Sequence, residues 1–309
     1  MAEEIELISV VVPCFNEAAN IAELYAQLQP VLSEFYSYEL IFVDDGSSDN
    51  TPEKILDLQR SDENIRLLQL SRNFGHQAAL KAGLDNAIGN CVISMDADLQ
   101  HPPEIIPDLI KKWKEGFEVV YTQREEGNDL PWLKRTTSKL FYRIAQRLTS
   151  VHIHPGTADY RLLDRKVVDV IKDLDESYLF FRGLVSWAGF RQTSVKFKAK
   201  DRYAGKSNYT YRKMFSLAMS GITSFSVRPL QLAMVLGLVI AALAGIYGIY
   251  VIYIFAFTDN AIPGWASTTA SVLFIGGVQL IMLGILGEYV GKAFMEGKRR
   301  PTYIIRERH

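Results

Sequence analysis

The sequence predicts an α/β protein, a parallel sheet covered by helices, that ends in two C-terminal transmembrane helices. Three observations carry that prediction. Short β-rich runs alternate with amphipathic helical runs through the first half, polar motifs sit where the β-rich runs end, and two long stretches, Gln231 to Phe257 and Ala266 to Gly287, contain no Lys, Arg, Asp or Glu. Strands alternating with helices imply parallel pairing with helices on both faces. Ligands of such sheets lie beyond the carboxyl ends of the strands.

The predicted strands are Leu7–Pro13, Glu39–Val43, Ile65–Leu70, Cys91–Met95 and Glu118–Thr122. The first intervening helix places Ile21, Leu24, Leu28, Val31 and Phe35 on one face at three-to-four-residue spacing. The second opens with Thr51 and Pro52, a cap followed by proline at the first helical position. Strand one runs into Phe15-Asn16-Glu17, strand two into Asp44-Asp45-Gly46-Ser47, and strand four into Asp96-Ala97-Asp98. After Arg124 the alternation stops, and a basic stretch from Lys134 to Arg147 leads to Gly156-Thr157-Ala158-Asp159-Tyr160-Arg161-Leu162, the expected acceptor side. From Ser207 to Val227, Tyr209, Met214, Phe215, Leu217, Ile222 and Phe225 are apolar while Arg212 and Lys213 suit anionic headgroups. That segment reads as an interfacial helical region or as an ordinary packed helix.

About 20 apolar residues at about 1.5 Å each span a hydrocarbon core, and both uncharged stretches reach that length. The connection Thr258 to Trp265 carries Asp259 and no basic residue, whereas Arg212, Lys213 and Arg228 precede the first span. Lys292, Lys298, Arg299, Arg300, Arg306 and Arg308 follow the second. The positive-inside rule then puts both termini in the cytoplasm, with the protein multi-pass in the plasma (inner) membrane. Met1 to Glu6 is acidic and offers no signal peptide. The expected divisions are a catalytic domain over 1–206, a juxtamembrane amphipathic region over 207–228, the two spans within 229–291 and a basic tail over 292–309.

A net charge of −1 argues against a nucleic-acid binder. The two cysteines, Cys14 and Cys91, each lie in an apolar run and read as buried free thiols of a reducing compartment.

Asp96 and Asp98 are one residue apart, so in an extended segment both carboxylates project to one side, where a hard divalent cation such as Mg²⁺ or Mn²⁺ can be held together with a diphosphate; a solvated turn is the alternative reading of such a pair, and the apolar strand it ends favours the cation. Gln100 supplies a further oxygen. Zinc prefers Cys or His, and His101 has no second such residue at ligand spacing. The run Asp44 to Asp49 lacks the spacing and terminal Glu of a calcium loop, leaving a turn or a nucleotide contact. A carboxylate there accepts hydrogen bonds from a base or ribose.

Five motifs in order resemble the polyprenyl-phosphate glycosyltransferases of glycosyltransferase family 2, which have the Rossmann-like GT-A fold. They are Val12-Pro13-Cys14-Phe15-Asn16-Glu17, the Asp44-to-Asp49 run, Arg72-Asn73-Phe74-Gly75, the run Asp96 to Glu104, and Arg202-Tyr203-Ala204-Gly205-Lys206-Ser207. The likeness extends over the two spans to Arg300-Pro301-Thr302-Tyr303, and within the family it is greatest to bactoprenol glucosyltransferases. It implies transfer of glucose from UDP-glucose to undecaprenyl phosphate, with inversion and a divalent metal, giving a lipid-linked monosaccharide for glycan decoration. Mannose, aminoarabinose or a non-catalytic scaffold or flippase role are the rival readings.

The resemblance also implies residue roles. Pro13, Phe15, Glu17 and Asp44 surround the uridine with Asp45 near it, and Asp96, Asp98 and Gln100 hold the metal and donor diphosphate. Arg124 and Arg135 meet the acceptor phosphate. Arg202, Lys206 and Ser207 lie on a loop that closes over the substrates. Asp159 matches the catalytic carboxylate. A polyprenyl phosphate, with a second pKa near 6, is already largely dianionic at pH 7, so Asp159 either takes a residual proton, orients the acceptor or adjusts a neighbour such as Arg161. The chain lacks the Gln-x-x-Arg-Trp motif of processive synthases, which implies one sugar per acceptor. Gly287 and Gly291 have the spacing of close helix pairs and suggest a homo-oligomer. His76, His152 and His154 receive no catalytic role.

Overall fold

The computed structural model describes residues 7–34, 37–124, 157–174, 176, 179–197, 223, 226–257 and 264–309. These fall into two compact units, one made of the described residues up to 197 together with 299–309, the other of those from 223 to 298.

In the first unit, β1 (Ile8–Cys14), β2 (Tyr38–Asp44), β3 (Ile65–Leu70) and β4 (Cys91–Ser94) pair in parallel in the order β4-β1-β2-β3. Between them run α1 (Ile21–Leu32), α2 (Thr51–Gln59) and α3 (His76–Asn86). β-Branched and aromatic residues supply the strands, and alternate positions serve opposite faces. Val10, Val12, Leu40 and Phe42 meet Leu24 and Leu28 of α1, while Val11, Ile41 and Val43 meet Ala79 and Ala82 of α3. α3 packs closely: a Cβ on Gly83 would lie 2.1 Å from Val11 Cγ1. Only glycine permits that approach, against its helix cost of about 1 kcal/mol.

The sheet is mixed, where sequence alternation predicts parallel pairing throughout. β5 (Val119–Arg124) does not join β4. Instead β6 (Thr157–Asp164) inserts between them, antiparallel to both, and β7 (Gln192–Phe197) pairs parallel to β5 at one edge. A 3-10 turn (Pro103–Ile105) and α4 (Ile106–Lys114) precede β5, and α5 (Arg165–Lys172) and α6 (Phe181–Trp187) follow β6. The opposite edge is closed by the end of the chain, as β8 (Ile305–Arg308) lies antiparallel on β3. His309 and Leu67 exchange backbone bonds of 2.9 and 3.1 Å, and the Ser71 N–H donates to the Ile304 carbonyl at 2.9 Å. Tyr303 donates to Asp85 Oδ2 at 2.9 Å. The stretch read as a basic tail therefore holds a helix end and a strand. β8 is four residues long and three of them are charged, so it has no apolar alternation to betray it.

Helix α1 ends at Leu32, with Ile21, Leu24 and Leu28 buried, and Phe35 lies outside the described residues. Cys14 and Cys91 are buried free thiols, as expected, and burial pushes the Cys91 thiol up to about 12.

In the second unit, α7 (Arg228–Phe257) and α8 (Trp265–Gly297) contain the two expected apolar stretches, and both are long and apolar enough to cross a membrane. Their leucines, isoleucines and tyrosines are largely exposed, unlike those of a core helix. The Tyr289 hydroxyl donates to the Ser226 carbonyl at 2.6 Å, tying α8 to the residues just before α7.

Candidate active site

Parallel register brings the predicted residues to one end of the sheet. Cys14 pairs with Asp44, and Val11 with Ser94, so the loops after β1, β2 and β4 emerge side by side. β6 runs the other way, and the pairing of Ser94 with Arg161 sets Asp159 beside the end of β4. The Ser94 hydroxyl fixes this by donating to the Asp159 carbonyl at 2.6 Å.

Pro13, near the end of β1, is buried; beyond the strand Phe15 is 45 % exposed and Glu17 is half-buried. Asn16 adopts φ 56°, a left-handed conformation that asparagine tolerates. Its N–H donates to Ser47 Oγ at 2.9 Å and its Oδ1 accepts from the Ser48 N–H at 2.8 Å, which locks the first two loops together. Asp44 is buried and accepts from the Ser47 N–H at 3.2 Å, and burial raises its carboxyl above the ordinary value. Asp45 is also buried, and its two oxygens accept from the N–H groups of Phe74 and Gly75 at 2.7 and 2.9 Å. Asp45 therefore braces the loop before α3.

The segment after β4 is a turn and not the extension expected. Leu99 takes φ 62° with its side chain in the core, and Ala97 is buried, while Asp96, Asp98 and Gln100 stay half-buried. The Gln100 N–H donates to Asp98 Oδ1 at 3.2 Å. His101 supports the turn by accepting from the Asp96 N–H at 3.0 Å, and its ring stacks on Tyr160 at 5.0 Å. Asp96 and Asp98 supply carboxylate oxygens suited to a hard divalent cation. Among the described residues, no three of His, Cys, Asp and Glu converge to hold an ion by themselves. The pair fits such a cation once further oxygen ligands complete its shell.

Asp159 lies between two guanidinium groups. Arg161 Nη2 donates to Oδ1 at 3.1 Å, and Arg182 donates from Nε to Oδ1 at 3.0 Å and from Nη2 to Oδ2 at 3.2 Å. Burial alone would raise this carboxyl, but Arg182 and then Arg161 outweigh it and hold the group well below the usual carboxylate range.

Arg124 is exposed at the end of β5, where neighbouring Gln123 pairs with Thr157. Arg135, Arg202, Lys206 and Ser207 lie outside the described residues. Two residues of the site had no role in the sequence reading. His76, the residue after the Arg72-to-Gly75 motif, places Nε2 3.4 Å from Asp96 Oδ1. Arg182 has only the run Phe181-Arg182-Gly183 as a signal, in a part of the chain without regular alternation.

Comparison with known proteins gives this geometry a family. Residues 9–172 match the model described as glycosyl transferase family 2, and residues 228–293 match the GtrB C-terminal hairpin. The chain belongs to glycosyl transferase family 2. The glycosyltransferase is 41% identical over 301 residues to the prophage bactoprenol glucosyl transferase homolog of Escherichia coli, covering 97% of this chain and 98% of that one. It is 41% identical over 303 residues to the bactoprenol glucosyl transferase of Shigella phage SfII, covering 98% of each. An uncharacterized glycosyltransferase of Synechocystis is 43% identical over 299 residues, 96% of this chain and 94% of its own. The GT-A architecture expected from the motifs is thus the architecture present.

Proposed function

We propose that this glycosyltransferase moves glucose from UDP-glucose to undecaprenyl phosphate, one sugar per acceptor, at the cytoplasmic face of the plasma membrane. The observation that carries the reading is the likeness to proteins named bactoprenol glucosyl transferases along nearly the whole chain, hairpin included.

Pro13, Phe15, Glu17 and Asp44 form the uridine pocket, with Asp45 shaping its floor through the Phe74 and Gly75 backbone. Asp96, Asp98 and Gln100 would hold Mg²⁺ or Mn²⁺ with the donor diphosphate, and a cation bound there would supply stabilisation of charge on the departing UDP. Arg124, Arg135, Arg202, Lys206 and Ser207 bind the phosphate groups of acceptor and donor. An acceptor phosphate oxygen attacks the anomeric carbon in line as the bond from that carbon to the diphosphate breaks. UDP leaves with the electron pair and the configuration inverts. The acceptor needs no base at pH 7, since its second pKa is near 6.

The chain enters α7 from the sheet unit and returns to it as β8 after α8. A hairpin that crosses a bilayer twice has both its ends on one side, and the basic flanks make that side cytoplasmic. Among the described residues, and apart from the helix's own backbone, no atom lies within 4 Å of where a Cβ would stand on Gly287 or Gly291, a spacing suited to a second copy's helix.

The test is transfer of labelled glucose from UDP-glucose to undecaprenyl phosphate by the purified full chain with Mg²⁺ or Mn²⁺. Lipid-linked product that disappears on chelation and in Asp98→Asn supports the reading. Turnover with a different nucleotide sugar alone overturns the glucose assignment, a product of retained configuration overturns the in-line step, and no turnover with any donor overturns the function.

A further inference from the structure

The hold on Asp159 goes beyond what an ordinary ion pair provides. Arg182 contributes two parallel bonds, one to each carboxylate oxygen, and this fork fixes direction as well as distance. Lysine, with a single ammonium, cannot reproduce it. The base of the fork is itself anchored. Phe181 is buried at the start of α6 and its N–H donates to Gln77 Oε1 at 3.1 Å, beside His76 on α3. On the other side, Arg161 is buried on β6 and Ser94 of β4 grips the Asp159 carbonyl. Side-chain exposure falls from 35% at Arg182 to 13% at Asp159 and 5% at Arg161, so Arg182 is the most accessible of the three. The carboxylate is thus oriented from three elements, with two guanidinium bonds on Oδ1 and one on Oδ2, and a proton placed on it would set a neutral acid against two buried or half-buried guanidinium charges.

We propose that Arg182 is a positioning residue for glycosyl transfer: its fork aims Asp159 and keeps it a fixed anion, so Asp159 orients the reactants and takes no proton. The inference rests on the reaction proposed above, in which the acceptor arrives already ionised. Among the described residues, the charged or titratable groups facing the carboxylate are Arg161 from its own strand, Arg182 from α6 and His76 from α3, and a positive charge on each favours the anion.

The experiment uses the purified full chain and four variants, Arg182→Gln, Arg182→Lys, Asp159→Asn and the double Asp159→Asn/Arg182→Gln. It measures kcat and the KM for undecaprenyl phosphate, with the UDP-glucose Kd determined without acceptor. Arg182→Gln is expected to lose about tenfold or more in kcat/KM for the acceptor while the donor Kd stays within about twofold. Arg182→Lys recovers part of the loss, and the double variant loses no more than the worse single, because the two residues act as one unit. A loss that multiplies in the double variant, or an Arg182→Gln enzyme as fast as the wild type, overturns the inference. Should Arg182→Gln fail to fold, Arg182→Lys decides: reduced kcat with the donor Kd retained supports the role, and wild-type kcat overturns it. Wild-type protein inert toward every donor overturns the proposed function and this inference together, which separates that failure from the others.

Discussion

Gly46 turns the chain at φ 71° just beyond β2, and a Cβ there would stand 2.6 Å from the Arg72 carbonyl carbon. Gly46→Ala combines left-handed strain with a backbone clash, so its unfolding free energy should fall by at least about 1 kcal/mol, measured by urea titration. Asp159 yields a pH prediction. Its folded carboxyl sits below the unfolded aspartate value of about 3.9, so its ion pairs stabilise the fold above that pH and cease to do so as pH drops toward the folded value. The gap in Tm between wild type and Asp159→Asn should be constant above about pH 5 and close below about pH 4. Asp96, Asp98 and Asp44 were legible from residue type and from their place after apolar runs. The duty of Asp45 was not, because its partners are backbone N–H groups about 30 residues away that no side-chain pattern records. Arg182 was hidden for a related reason: its meaning lies in a pairing between β6 and α6.

The parallel strands β1, β2 and β4 were readable because each is buried on both faces and therefore appears as an apolar run, while β3 keeps four buried apolar residues around half-buried Arg66 and Gln69. β6 was read as a motif and not as a strand, since Asp159 and Arg161 interrupt its apolar residues at the very positions where the site is built. β8 had still less to show, with one apolar residue among its four. Its value to the fold is in backbone bonds, each worth about 1 kcal/mol net. Ending the chain after Tyr303 should lower the Tm by about 5 °C or more and make β3 an open edge, seen as faster amide exchange at Leu67 and Ser71. Unchanged exchange at both would show that the strand adds nothing to the sheet.

At the scale of the whole chain, the two long helices were the plainest reading, because length and absence of charge need no tertiary context. Their orientation is testable with the two native thiols left in place, since both are buried. Asn260→Cys, in the connection outside the described residues, should react with an impermeant maleimide in cells whose outer face is accessible, and His309→Cys should not; the reverse pattern would invert the topology. The closing strand has a temporal consequence as well. A ribosome makes β3 early and β8 only after both apolar helices, at about 5–20 residues per second. For on the order of ten seconds or longer the nascent sheet carries an unfinished border, and it is sealed only after the second hydrophobic helix has been synthesised. Completion of the catalytic sheet thereby reports that the whole hairpin has been made.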